Sequence, residues 1–285
     1  MTDFKYRELI TNFGISPGSL LMVTADLTRI AMSSLRNEGE FNIGFFIDSI
    51  QKHLGKEGTL VIPAFNFNLK NSGYYNPARS LPITGALSVA ALKRTDFLRT
   101  RHPLHSFLVW GKYAESLAAL NNRSSFGKDS PFAFLKAHHA TMLLIDTSIS
   151  AAFTFVHHVE EMEKVNYRKY RKFEILVDEN DGKPVRKEFL LYAKKPGWTM
   201  ELKGLETLLT DLEIAKSINI NNISCTLVDL AAAYPVIKND ILRNKARNLA
   251  RFAPELYLRE MAKSFLATIG IHTLAYKISY DPGLL

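Results

Sequence analysis

The sequence predicts an α/β protein, a single domain with a buried sheet covered by helices on both faces, followed by an antiparallel ribbon and carboxy-terminal helices. Two observations carry that prediction. Short apolar runs bounded by Gly, Pro or polar residues read as buried strands, and the segments between them place apolar residues at three- and four-residue steps. A chain of 285 residues, 47% of them hydrophobic, is long enough to bury one substantial core.

The strand candidates are SLLMVTA (19–25), GTLVIPAF (58–65), SFLVWG (106–111) and TMLLIDT (141–147). Four buried strands require cover on both sides. Helical spacing follows in Ile43, Phe46, Ile47, Ile50 and Leu54, then in GALSVAALKR (85–94), YAESLAAL (113–120) and PFAFLKAHH (131–139). The last begins with Ser130 as a cap and Pro131 at the first helical position. Strand and helix therefore alternate through the first half, the pattern of a layered α/β fold.

Further along, KFEILV (172–177) and KEFLLYA (187–193) flank DENDGKPV, whose Asp-Gly pair suits a hairpin turn. ELKGLETLLTDLEIA (201–215), TLVDLAAAYPVIKNDIL (226–242) and ELYLREMAKSFLATI (255–269) have helical spacing, with Pro235 interrupting the second. Residues 1–285 read as one domain, in which the part beyond about Asn244 is the candidate for looser attachment.

Lys and Arg number 36 against 28 Asp and Glu, a net charge of +8 that favours anionic partners. The excess is concentrated in 164–173, 194–198 and 241–252, yet no nucleic-acid-binding motif accompanies it. No apolar stretch approaches the ~18 residues of a membrane span, and MTDFKYRELI is charged throughout, so a soluble, cytoplasmic protein is expected. The single cysteine, Cys225, has no Cys/His ligand spacing around it and reads as a small buried residue.

Chemistry is concentrated in TFVHHVEE (154–161). His157 and Glu160 are three apart and share one helical face, while His158 and Glu161 form a parallel pair about 100° further round. A carboxylate beside an imidazole raises its basicity and fixes its tautomer, as a general base requires. A solvated helix face is the competing reading. A metal site lacks support, because four residues after His157 stands Glu161, not a second histidine. In RTRHPLHSFLVWG (99–111), His102, His105 and Ser106 fall at the mouth of the expected sheet. There is no GxSxG elbow, no GxGxxG and no Walker loop, which argues against serine hydrolysis, dinucleotide binding and ATP use.

In order along the chain, LLMVTADL (20–27), LGKEGTLVIPAF (54–65), YNPARSLPITGALSVAALKR (75–94), RTRHPLHSFLVWG, FGKDSPFAFL (126–135) and TFVHHVEE followed by NYRKYRKF resemble the aminoglycoside 3-N-acetyltransferase family. The resemblance spans roughly 7–245 and leaves 246–285 unexplained. It implies a three-layer α/β/α sandwich with a central mixed sheet, acetyl-coenzyme A or another acyl-CoA as donor, and no metal. It implies His157 as general base, Glu160 as its orienter and Thr154 beside them. Segments 23–28, 81–86 and 102–107 are implied to hold the coenzyme through Thr24, Ala25, Thr84, His102 and Ser106, with Phe65 facing the acceptor. One departure stands out: resistance enzymes read VHxS-like where this chain has Val23-Thr24-Ala25-Asp26, so Asp26 either meets the acceptor or caps the strand end.

The acceptor expected from this resemblance and the net charge is an amino sugar, in polysaccharide or nucleotide-sugar biosynthesis. The alternatives are an antibiotic-resistance acetyltransferase and a non-catalytic amino-sugar-binding homologue. Neither nucleic acid nor a membrane is expected as a partner, and a homo-oligomer is compatible with the sequence.

Overall fold

Successive residues of a strand point to opposite faces, and here both faces of the central strands are apolar, so the sheet must be covered twice. The structure is a computed structural model that describes residues 11–38, 40–69, 73–179 and 182–268. Its strands in chain order are β1 (Leu20–Ala25), β2 (Thr59–Pro63), β3 (Tyr74–Tyr75), β4 (Leu98–Arg99), β5 (Phe107–Gly111), β6 (Thr141–Ile145), β7 (Arg168–Val177), β8 (Val185–Lys194), β9 (Trp198–Met200), β10 (Ala215–Ile220), β11 (Ile223–Asp229) and β12 (Ala250–Phe252). The helices are α1 (Thr28–Glu38), α2 (Ile43–Leu54), α3 (Ala86–Leu92), α4 (Ala114–Ala118), α5 (Pro131–Ala137), α6 (Ile149–Ala152), α7 (Val156–Met162), α8 (Lys203–Asp211), α9 (Leu230–Asn244) and α10 (Pro254–Thr268).

Seven strands form the main sheet in the order β10-β11-β6-β1-β2-β5-β4. The central trio β6, β1 and β2 is parallel, and β5 and β11 flank it antiparallel. Leu21, Val23, Leu60 and Leu143 pack with Phe46, Ile47 and Ile50 of α2 and Leu87 of α3. Their neighbours Met22, Val61 and Met142 pack instead with Leu117, Phe132, Val159, Leu205 and Ile237 from α4, α5, α7, α8 and α9. The alternation of side chains along the strands thus becomes a three-layer α/β/α sandwich. Each fully buried Leu, Ile or Phe contributes about 1.5–3 kcal/mol, so these two cores dominate the stability.

The predicted cap at Ser130 forms, and Asn42 supplies a second that the sequence reading did not name. Asn42 accepts the amides of Gly44 and Phe45 at the start of α2, and Ser130 accepts Ala133 N at the start of α5. The predicted ribbon is β7 paired antiparallel with β8, covering the separate cluster of Leu69, Tyr75, Leu104, Ile175, Val177 and Phe189. Cys225 is fully buried, and burial pushes its thiol up to about 11.

Two expectations change. The segment expected to be helical from Thr226 begins as strand β11, hairpinned to β10 through Asn221 and Asn222, both at positive φ. Asparagine tolerates that left-handed backbone, and a tight hairpin demands it. Pro235 does not interrupt α9, which runs unbroken from Leu230 to Asn244. It removes one backbone donor, while Leu230, Ala233 and Ile237 anchor the helix on both sides. The stretch from 245 to 260 packs on the rest of the fold: β12 pairs with β9, Leu249 and Ala253 are fully buried, and Gly197 N donates to Glu260 at 2.8 Å; residues 269–285 lie outside the described residues.

Gly111 closes β5 at φ +97°, and a methyl group there would collide with the carbonyl oxygen of Gly58. Gly111→Ala is expected to destabilise the fold by about 1–3 kcal/mol in urea unfolding, and an unchanged midpoint would contradict the register assigned to β2 and β5.

Candidate active site

The parallel trio brings several loops to one edge of the sheet. β1 and β6 end at Ala25 and Ile145, and β2 ends at Pro63 where antiparallel β5 begins. Backbone bonds lash these loops together: Asp26 N to Ile145 O at 2.9 Å, Ala64 N to Ser106 O at 2.8 Å and Ile83 N to Phe65 O at 2.8 Å. The carboxyl edge of parallel strands is where α/β folds place their ligands.

Helix α7 follows β6 at this edge and carries His157 and Glu160 on one face. Glu160 is fully buried. Its Oε1 accepts the Tyr167 hydroxyl at 2.8 Å, and its Oε2 lies 2.6 Å from His157 Nδ1 and 2.7 Å from Arg168 Nε. A carboxylate can only accept and a guanidinium can only donate, and Nδ1 faces both, Glu160 Oε2 at 2.6 Å and Arg168 Nη2 at 2.8 Å; the shorter contact assigns the ring proton to Nδ1, donated to Oε2. Nε2 is then the basic nitrogen, and it has no hydrogen-bond partner among the described residues. The His157 side chain keeps 21% of its surface exposed, which leaves the ring open to a reactant.

Arg168 opens β7 and is itself buried. Its Nη2 stands 2.8 Å from His157 Nδ1, and its Nη1 donates to the carbonyl of Tyr192 at 3.0 Å. Burial and the Arg168 charge push the His157 imidazolium below the usual histidine range, although Glu160 pulls the other way. Burial alone would raise the Glu160 carboxyl, but the charges of His157 and Arg168 and the bonds from His157 and Tyr167 outweigh it and hold the group below the usual carboxylate range. Burial and the Glu160 charge push the Tyr167 phenol far up, so it remains a donor.

The look-alike pair has a different fate. His158 Nδ1 donates to Phe126 O at 2.7 Å, and Glu161 accepts the hydroxyl of Ser124 at 2.8 Å. Both are buried, so the doublet is neither a solvated face nor a second reactive pair. Thr154 is half-buried one turn before His157, whose amide it accepts at 3.1 Å.

The remaining sequence candidates line the same edge at different depths. Ala25 and Asp26 line a cleft of 550 Å³ with Leu27, Phe41, Gly85 and Ala86, so segments 23–28 and 81–86 meet as one wall. The Asp26 carboxylate accepts Thr28 N at 2.9 Å at the start of α1, and the hydroxyl and amide of Thr28 hold it below the usual carboxylate range. Asp26 thus makes a cap contact while its carboxylate stays exposed on the cleft wall. Thr24 Oγ1 is buried without a hydrogen-bond partner. The Thr84 hydroxyl donates to Pro63 O at 2.7 Å.

Ser106 is fully buried, donating to Ala64 O at 2.8 Å and accepting from Arg99 Nε at 3.0 Å. His102 is equally buried, and burial pushes it down to about 3. Its Nδ1 accepts the amides of Leu104 and His105 at 3.3 Å each, which leaves Nε2–H to face Ser125 Oγ at 3.2 Å. Phe65 is buried between His105 and Phe107, with ring centroids 4.9 and 5.4 Å away. Among the described residues no group of three His, Cys, Asp or Glu side chains could hold a metal ion, and no helix is long and apolar enough to cross a membrane.

Sequence reasoning missed Arg168, Tyr167 and Lys194, which sit in or next to basic runs. Their signal was the ribbon register: counting outward from the Asp-Gly turn sets Arg168 opposite Lys194 at the end nearest α7.

A family model described as aminoglycoside 3-N-acetyltransferase matches residues 22–240. Among solved structures, aminoglycoside acetyltransferase AAC(3)-Xa is 19% identical with a TM-score of 0.71, over 85% of this chain and 92% of that one. AAC-IIIb, solved as a binary complex with CoASH, is 17% identical with a TM-score of 0.72, over 86% and 97% of the two chains. AAC-VIa, solved bound to sisomicin, is 16% identical with a TM-score of 0.68, over 86% and 98%. These names favour the resistance-type alternative over the expected role in polysaccharide or nucleotide-sugar synthesis, for which they offer no counterpart. The matched segment runs through all three layers of the sandwich and across α7, β7 and β8, and on that ground the chain belongs to the aminoglycoside 3-N-acetyltransferase family and is an N-acetyltransferase.

Proposed function

We propose that the protein transfers an acetyl group from acetyl-coenzyme A directly to an amine of an amino sugar, with aminoglycosides the acceptor class its family carries, and that His157 is the general base. The observation that carries this is the buried Glu160, which fixes His157 with Nδ1–H inward and Nε2 unpartnered. An amine is mostly protonated near neutral pH and becomes a nucleophile only when a base holds its proton. His157 Nε2 takes that proton as nitrogen attacks the carbonyl carbon, and it returns a proton to the departing sulfur. Glu160 stabilises the imidazolium that forms in between.

The coenzyme fits the cleft between segments 23–28 and 81–86. Its 550 Å³ lies within the range of ligand sites, and Leu27, Ala31, Phe41, Ile43 and Ala86 give it the apolar lining that suits a pantetheine arm. When bound, acetyl-coenzyme A supplies the activated acyl group as a thioester. The Thr24 hydroxyl, buried without a partner, and the amide of Ala25 are the groups we assign to it at the end of β1. His102 and Ser106 serve it indirectly, by holding the loop before β5 in place through the bonds described above. Thr154 is assigned to the reacting end as a hydroxyl beside the base.

Aminoglycosides, amino sugars and acetyl-coenzyme A together form the direct assay, with free thiol as the readout. His157→Ala is expected to lower kcat/KM by about 10²–10⁴-fold, the usual contribution of a general base, and full activity in that variant would refute the assignment. His158→Phe should spare the chemical step and instead lower the unfolding midpoint, because it breaks a buried bond worth about 1–3 kcal/mol when its partner is left unsatisfied.

The pH profile has a definite sign. A base works deprotonated, so activity falls as pH drops through the pKa of His157, and burial with the Arg168 charge moves that pKa below the ordinary value of 6.5. The acid limb of kcat/KM, corrected for the free-amine fraction of the acceptor, is expected below pH 6.5. A limb above that value would contradict the dominance of burial and Arg168 over Glu160.

A further inference from the structure

His105 is buried beside the site, and its neighbours decide which of its two nitrogens carries the proton. His102 Nδ1 accepts two backbone amides, so the His102 proton is on Nε2, 3.2 Å from Ser125 Oγ. A protonated nitrogen cannot accept the Ser125 hydroxyl proton. The remaining partner of this fully buried hydroxyl among the described residues is His105 Nδ1 at 2.9 Å, so Ser125 Oγ–H donates there. Any other assignment strands a buried hydroxyl proton without an acceptor, which folded proteins avoid. His105 is thereby an imidazole protonated at Nε2, and that N–H has no hydrogen-bond partner among the described residues. Burial, then the charges of His102, His157 and Arg168, push its imidazolium well below the usual histidine range, so the ring stays neutral.

Its surroundings place it on the path of the reaction. Phe126 packs on His105 with ring centroids 4.6 Å apart and on His157 at 5.2 Å, so the two imidazoles flank a single ring. On its other side His105 meets Phe65 at 4.9 Å, and the Phe65 carbonyl accepts Ile83 N, in the segment that reaches the cleft at Gly85 and Ala86. His105 thus lies between the cleft assigned to the coenzyme and the base, where a thioester delivered to His157 must pass. We propose that His105 Nε2–H donates a hydrogen bond to the thioester carbonyl oxygen and stabilises the oxyanion formed there, as a second donor beside Thr154. The inference rests on acetyl transfer through His157 as proposed above. As the amine nitrogen bonds to the carbonyl carbon, the carbonyl π pair moves onto oxygen and meets this N–H; as the pair returns, the carbon–sulfur bond breaks and sulfur leaves with the proton from His157. His105 keeps its own proton throughout. A neutral donor also adds no positive charge where an acceptor bearing ammonium groups must approach.

Nitrogen NMR of the free ¹⁵N-histidine-labelled protein, with His105→Gln identifying the resonances, is expected to find the His105 proton on Nε2; a proton on Nδ1 overturns the inference. Thiol release then gives kcat and KM for wild type, His105→Phe and His105→Gln, with glucosamine and a polycationic aminoglycoside as acceptors. His105→Phe keeps the aromatic cage filled and is expected to lower kcat about 10²–10³-fold with every acceptor the wild type uses, the loss usual for one oxyanion donor, while the KM for acetyl-coenzyme A changes little. His105→Gln should recover about tenfold of that loss, because its amide again presents an N–H. An unchanged kcat in both variants overturns the inference and leaves the acetyltransferase reading intact. A loss confined to the KM for acetyl-coenzyme A also overturns it, because it assigns His105 to the loop that holds the coenzyme, and so do equal losses in the two variants, which assign the effect to packing. The tautomer is read on the wild type and decides the matter if His105→Phe does not fold. No acceptor-dependent thiol release from the wild type overturns the proposed function itself.

Discussion

The site depends on one buried carboxylate. Glu160 lies under the sheet edge with no access to water, and it remains ionised because a guanidinium, an imidazole N–H and a phenol hydroxyl converge on its two oxygens. Remove it, and the Nδ1 proton of His157 loses its acceptor while Arg168 becomes a buried charge without an anion. Its neighbours bind it from three places in the sequence: His157 one helical turn earlier, Tyr167 after the helix and Arg168 at the first residue of the ribbon. The carboxylate therefore couples the sandwich to the ribbon as well as orienting the base.

The layers explain why this cluster can be rigid. The face of α7 about 100° round from the site buries Val156 and Val159 in the same core as Met22 and Met142, so the helix cannot rotate without opening that core. His158 and Glu161 reinforce it on the flank through Phe126 O and Ser124. Titratable groups off the reactive face thus hold the helix in phase, and only His157 keeps exposed surface.

Much of this was legible in the residues. Apolar runs without alternation meant strands buried on both faces, Ser130-Pro131 marked a helix start, and the three-residue step from His157 to Glu160 placed both on one face. The spacing could not tell the reactive pair from its neighbour, because 100° of helix rotation becomes burial or exposure only once the packing is known. Arg168 was hidden for a different reason. RKYRK looks like a solvated run, and only the pairing of β7 with β8 turns its first arginine inward. The hairpin of β10 and β11 was missed because the apolar spacing of 226–242 fits a helix, although Asn221-Asn222 was a readable turn. Asp26 left two roles open in the sequence: the bond from Thr28 N supplies the cap, and the same exposed carboxylate lines the cleft.

The central claim is the protonation state that Glu160 imposes on His157. Nitrogen NMR of the ¹⁵N-histidine-labelled protein at neutral pH measures it directly, with His157→Ala identifying the resonances. A neutral ring protonated at Nδ1, its proton shifted downfield by the carboxylate and lost in Glu160→Gln, is the predicted result. A neutral ring protonated at Nε2, or an imidazolium persisting at pH 7, would contradict the account.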